Sequence, residues 1–99
     1  MKAQVTTSAL SGKIIDDQNE YVIGATVVAV HEPSGTMYGA VTNIDGRYTI
    51  QGMRTGGPYK VVISYVGYKK AVFTDIRLEL GNTYILNATL YPNSEQLGE

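Results

Sequence analysis

The stretch TNIDGRYTIQG, residues 42 to 52, decides how this chain is read. Asn43, Asp45 and Gly46 stand where a calcium loop begins. Asp-Gly followed by alternating side chains is equally a hairpin signal. An EF-type loop needs oxygen ligands at alternating positions and a bidentate glutamate at its twelfth residue. Counted from Asn43, the run offers Asp45, then Arg47 and Thr49, and its twelfth residue is Arg54. A guanidinium beside the ion repels it. Ile44-Asp45-Gly46 therefore reads as a tight connection between two strands, with Gly46 at positive φ. Asp45 and Gly46 are turn residues, and no metal ligand set is assigned.

The alternation on either side of this turn recurs along the chain. Eleven glycines, eight tyrosines and many β-branched residues, with no sustained 3.6-residue period, indicate an all-β domain. Seven strands are expected, at the short spacing of a sandwich. They are ALSGKII (9–15), ATVVAVHE (25–32), TMYGAVT (36–42), GRYTIQ (46–51), PYKVVISYVGY (58–68), a strand over 70–80 that breaks near Asp75, and TYILNATL (83–90). In the fifth, Tyr59, Val61 and Ile63 share one face while Lys60, Val62 and Ser64 share the other. In the seventh, Tyr84, Leu86, Ala88 and Leu90 lie on one side. Two antiparallel or mixed sheets would bury these faces together. The expected core is Tyr48, Ile50, Tyr59, Val61, Ile63, Leu86 and Leu90. Several tyrosines should keep their hydroxyl at the rim, because a buried phenol needs a partner.

Ninety-nine residues suit one domain, and 43% hydrophobic content is globular rather than disordered. The sandwich is expected over residues 9–91, between a flexible leader (1–8) and a polar linker (92–99). A net charge of −1 gives no electrostatic footprint for nucleic acid. With no cysteine there is no disulfide and no thiolate nucleophile. No apolar run approaches the roughly 20 residues of a membrane helix. Met1-Lys2 passes straight to polar residues, so no signal peptide is visible.

Other candidates reduce to ordinary roles. His31 is the single histidine, beside Glu32 at a strand end, where a surface position is expected. Ser34 lies in a Pro-Ser-Gly turn, and catalysis would need a further group to orient the histidine. Asp16, Asp17 and Glu20 form a solvated acidic cluster. GMRTGG (52–57) lacks the lysine and following helix of a phosphate loop. Asn87-Ala88-Thr89 matches a glycosylation sequon inside a strand. No catalytic, cofactor-binding or metal-binding residue is assigned.

SGKIID, IGATVVAV, TNIDGRYTIQGM and GGPYKVVISYVGY, in this order, resemble the carboxypeptidase regulatory-like domain, a transthyretin-like or Ig-like β-sandwich. The resemblance covers residues 8 to 90. It rests on Gly12 and Asp16 around the first strand, Gly24-Ala25 opening the second, and Thr42, Asp45, Gly46 and Tyr48 in the turn. Gly57, Tyr59, Gly67 and Tyr68 bracket the fifth strand, with Gly67 a turn residue. Asn19 replaces a common glycine and tolerates the same left-handed backbone.

AVHEPSGTMYGAVTNIDGRYTIQGMRTGGPYKVVISYVGY is similar to the N-terminal extension of TonB-dependent outer-membrane receptors of the Oar-like and SusC-like kind from Bacteroidetes. SEQLGE is similar to the segment that leads into a short Val-rich TonB-contacting stretch, in a group whose domain precedes the plug and the barrel. The resemblance implies a non-catalytic module, without cofactor, on the periplasmic side of the outer membrane. Its partner would be TonB or the receptor's own plug, and it would meet the membrane only through the full-length receptor. Exposed edge strands at 36–42 or 70–78 would offer pairing sites to a partner strand. A carbohydrate-binding or adhesive module of a surface protein would instead present a flat row of exposed tyrosines. An accessory domain of a metallopeptidase would look the same and need a zinc site elsewhere on its chain.

Overall fold

A computed structural model describes residues 6–93 as eight β-strands without a helix. They are β1 (Ser8–Asp16), β2 (Thr26–His31), β3 (Thr36–Val41), β4 (Arg47–Met53), β5 (Gly56–Ser64), β6 (Ala71–Leu78), β7 (Thr83–Ile85) and β8 (Ala88–Leu90). One sheet has the order β4-β1-β7, with β8 also on β1, and the other has the order β3-β2-β5-β6. β1 pairs antiparallel with β4 and parallel with β7 and β8, so the sandwich is mixed. Residues 1–5 of the expected leader (1–8) and 94–99 of the expected linker (92–99) lie outside the described residues. Ser8, expected in the leader, is buried as the first residue of β1.

The expected seventh strand is two short strands. β7 pairs with Ala9–Ser11 and β8 with Ile14–Asp16, in one continuous register interrupted at Leu86 and Asn87. The interruption has a polar cause. Asn87 Oδ1 accepts the Lys13 N–H at 2.8 Å, taking the place of a main-chain acceptor. The Leu86 carbonyl is thereby freed to accept from the Tyr48 hydroxyl at 2.8 Å.

The sixth strand bulges where a break is expected. Asp75 has φ 60°, and Thr74 with Asp75 stands opposite Lys60 alone as the pairing shifts from Val61–Phe73 to Tyr59–Ile76. The strand continues on both sides. A bulge absorbs one extra residue and sharpens the local twist.

All seven expected core residues are buried. With them lie Leu10 and Ile14 from β1, Ala25, Val27 and Ala29 around β2, Met53 from β4, and Ile76 and Leu78 from β6. Each large apolar side chain removed from water contributes roughly 1.5–3 kcal/mol. Both buried tyrosines satisfy their hydroxyls on main-chain carbonyls: Tyr48 on Leu86, and Tyr59 on Arg54 at 2.8 Å. His31 is buried, not at the surface. It packs edge-on against Tyr59, with ring centroids 5.1 Å apart, because its strand position faces the core.

Candidate interaction surface

Several of the polar groups singled out in the sequence, Asp16, Ser34 and Asn43 among them, are engaged in turns. Asn43 Oδ1 accepts the N–H groups of Asp45 at 2.9 Å and Arg47 at 3.0 Å. Gly46 takes φ 70° and donates its N–H to the Asn43 carbonyl. Thr42 is buried beneath the turn, its Oγ1 accepting from Ala25 N at 2.8 Å and donating to the Val22 carbonyl at 2.6 Å. Gly67 has φ 85°, and its carbonyl accepts from Asn93 N in the turn after β5.

Asp16 Oδ1 accepts from Gln18 N and Glu20 N, so this carboxylate closes the β1–β2 loop. Desolvation, then the charges of Asp16 and Asp17, with Tyr65 and Glu20 after them, push the Tyr68 phenol above its ordinary range. Arg54 holds the connection from β4 to β5 by its main chain, donating to the Tyr38 hydroxyl and accepting from that of Tyr59.

His31 Nδ1 and Ser34 Oγ are 2.7 Å apart. Ser34 Oγ also meets Thr36 Oγ1 at 2.9 Å and accepts the Thr36 N–H. The serine oxygen therefore sits inside the β2–β3 turn, held among its own neighbours rather than aimed at a substrate cleft.

The tyrosines do not form a row. Tyr48 and Tyr59 are buried; Tyr38, Tyr65 and Tyr68 are half-buried; Tyr21, Tyr84 and Tyr91 are exposed. Tyr84 pairs with Leu10 near the start of β1, whereas Tyr21 bridges Ile15 and Tyr91 follows Leu90 near its end. The exposed rings thus occupy opposite ends of the sandwich, and Lys13 covers one of them, its Nζ 5.6 Å from the Tyr21 ring centre.

Two surface features remain. The first is apolar. The strand directions bring the loops at 17–25, 42–46 and 65–70 to the same end, with residues 91–93 beside them. Gly24 N donates to Thr42 O, and Lys69 N to Tyr91 O, joining these segments. Ile23, Ile44, Val66, Tyr21 and Tyr91 stand exposed there, Ile44 at 73% and Val66 at 84%. Clustered exposed apolar side chains with polar neighbours are characteristic of contact sites. Sequence reading missed this rim, because each residue belongs to a different loop.

The second feature is a strand edge. The expected edges at 36–42 and 70–78 are the two sides of one sheet, β3 and β6. β6 carries the Asp75 bulge and the exposed Asp75–Arg77 ion pair, features that discourage strand addition. β3, TMYGAV, has no charge, no proline and no bulge.

A β-sandwich of this connectivity, with Asp16, Ser34 and Asn43 tied into its turns, defines a small all-β module. The chain belongs to the carboxypeptidase regulatory-like domain family, which matches residues 9–91. Comparison with curated proteins returned no match. Among solved structures, it is similar to the Bacillus anthracis TIE protein at 19% identity and a TM-score of 0.72, over 88% of this chain and 17% of that one. It is similar to a chain of a type II cohesin–X-dockerin complex from Acetivibrio cellulolyticus at 22% identity and TM-score 0.69, over 92% of this chain and 62% of that one. Catechol 1,2-dioxygenase from Acinetobacter radioresistens matches at 11% identity and TM-score 0.70, over 97% of this chain and 57% of that one. These likenesses are of fold, and the chain spans less than two thirds of each protein.

Proposed function

We propose that this domain is a non-catalytic module of a TonB-dependent outer-membrane receptor, exported to the periplasmic side, and that it acts through protein contact with the receptor's own plug. The observation that carries the reading is the apolar rim of Ile23, Ile44 and Val66 at the end where residues 91–93 lead onward. A domain that follows in the chain meets this end first, and covering the rim removes exposed aliphatic surface from water. The resemblance of residues 29–68 to receptor extensions supplies the transport setting, as analogy rather than geometry. Protein contact also agrees with a fold neighbour that comes from a cohesin–dockerin complex.

The test uses the full-length receptor. Deletion of residues 9–91, and separately Ile44→Asp with Val66→Asp, should lower substrate uptake while receptor abundance in the outer membrane stays constant. Uptake unaffected by both changes would refute the reading. Loss on deletion with no effect of the rim variants would move the contact to another face and favour TonB over the plug.

A further inference from the structure

β3 is an edge that nothing in its own sequence defends, and its hydrogen-bond phase is fixed. In an antiparallel ladder, residues alternate between bonding to the neighbour and pointing away from it. Thr42 N donates to Ala25 O at 2.9 Å, so Ala40, Tyr38 and Thr36 bond towards β2. The N–H and C=O groups of Met37, Gly39 and Val41 therefore point out of the sheet. Met37 and Val41 are 66% and 61% exposed, on the outer face on either side of Gly39.

We infer that β3 pairs antiparallel with β3 of a second copy of this chain, about a two-fold axis through Gly39. This goes beyond the transport reading and does not depend on it. Symmetry supplies the match that an unrelated strand would need by chance. Met37 of one copy faces Val41 of the other, Gly39 faces Gly39, and all three are residues with outward bonding groups. On the inner side, Tyr38 of one copy lies opposite Ala40 of the other, large against small. No like charges are brought together, because Thr36–Val41 is uncharged. The outer face continues the apolar row formed by Val28, Val62 and Val72 in register with Gly39. A single pair of six-residue strands is a small interface, below the roughly 1,200 Å² of stable complexes, so the dimer is a weak one in dilute solution.

Gly39→Cys gives a direct test, since the chain has no cysteine of its own. A Cβ at Gly39 meets only the Val27 carbonyl oxygen, at 3.7 Å, so the variant should fold. Facing Cα atoms in a bonded antiparallel pair lie about 5.5 Å apart, within disulfide range. Under mild oxidation Gly39→Cys should cross-link more than about tenfold faster than Val72→Cys on the bulged edge, because pairing raises the local thiol concentration. Raising the concentration of the unaltered protein should slow amide exchange at Met37, Gly39 and Val41. Tyr38 and Ala40, already bonded to β2, should not change. Met37→Lys should weaken association by about tenfold or more, as two symmetry-related pairs are lost together. Equal cross-linking at the two positions, exchange independent of concentration, or protection at β6 instead would overturn the pairing.

Discussion

The hydroxyl of Tyr48 donates to the carbonyl of Leu86 across 2.8 Å, and Gly12 lies directly beneath that carbonyl. A Cβ at position 12 would stand 1.8 Å from the Leu86 oxygen and 2.6 Å from its carbon. Both are backbone atoms, so no rotamer change relieves the clash. This one contact joins β1, β4 and the link between β7 and β8, using the Leu86 carbonyl that Asn87 has displaced from Lys13. Gly12→Ala should destabilise the domain by about 3 kcal/mol or more. Tyr48→Phe introduces no clash and leaves the Leu86 carbonyl unbonded, at a cost of about 1–3 kcal/mol. Urea unfolding of both variants, with Gly39→Ala as the tolerated control, measures the difference.

The turn at 42–47 offers a second comparison. Asn43 is exposed, so water can replace its two hydrogen bonds when it becomes alanine, and the loss should be about 1 kcal/mol. Thr42 is buried, and valine there would strand both Ala25 N–H and the Val22 carbonyl. Thr42→Val should cost about 2–3 kcal/mol despite the near-identical shape. Thermal melts should preserve this order, and calcium should leave the melting temperature of the unaltered protein unchanged. A calcium-dependent rise would restore the ion-loop reading.

These two sites show what was legible in sequence. Period-two alternation exposes the core of β4 and β5 directly: Tyr48 and Ile50, then Tyr59, Val61 and Ile63. Asp45-Gly46 carries its own turn chemistry, as does Asn19, which takes φ 65°. The break at Leu86 was not legible, because Asn87 binds Lys13, far away in the chain, and only the fold brings them together. His31 continues the inward alternation of Val27 and Ala29, so its burial follows the strand period rather than the surface habit of a lone histidine, and Tyr59 in the adjacent strand is its packing partner. The apolar rim gathers single residues from separate loops, and no local pattern marks it.

Alkaline pH should weaken the fold through its buried phenols. Burial pushes both Tyr48 and Tyr59 above the ordinary value of 10.0, and Tyr38 adds to the shift at Tyr59. The folded state thus favours the neutral phenol, with a folded pKa above the unfolded one. The resulting stabilisation is complete below the unfolded pKa, about 10, and is lost as pH rises towards the folded value. Unfolding free energy should therefore fall above about pH 10, by up to about 1.4 kcal/mol per pH unit for each tyrosine. Tyr48→Phe and Tyr59→Phe should each flatten that slope. Denaturant titrations from about pH 8 to about pH 11, a span around the ordinary phenol value, would measure it, and an unchanged slope in both variants would assign the alkaline loss to other groups.

The apolar rim separates function from stability most cleanly. Ile44 and Val66 are 73% and 84% exposed, so neither contributes much to the core. Ile44→Asp and Val66→Asp should each change stability by no more than about 0.5 kcal/mol, the usual range for surface substitutions. If the rim meets the receptor's plug, the same pair of changes puts two unpaired carboxylates into an apolar contact, where desolvation opposes their charged form. Uptake should then fall although the isolated domain melts as before. Lys70→Ala, an exposed change at the same end of the sandwich but outside the apolar cluster, should leave uptake intact. Equal loss from Lys70→Ala and from the rim pair would mean that the end as a whole, rather than its aliphatic side chains, makes the contact.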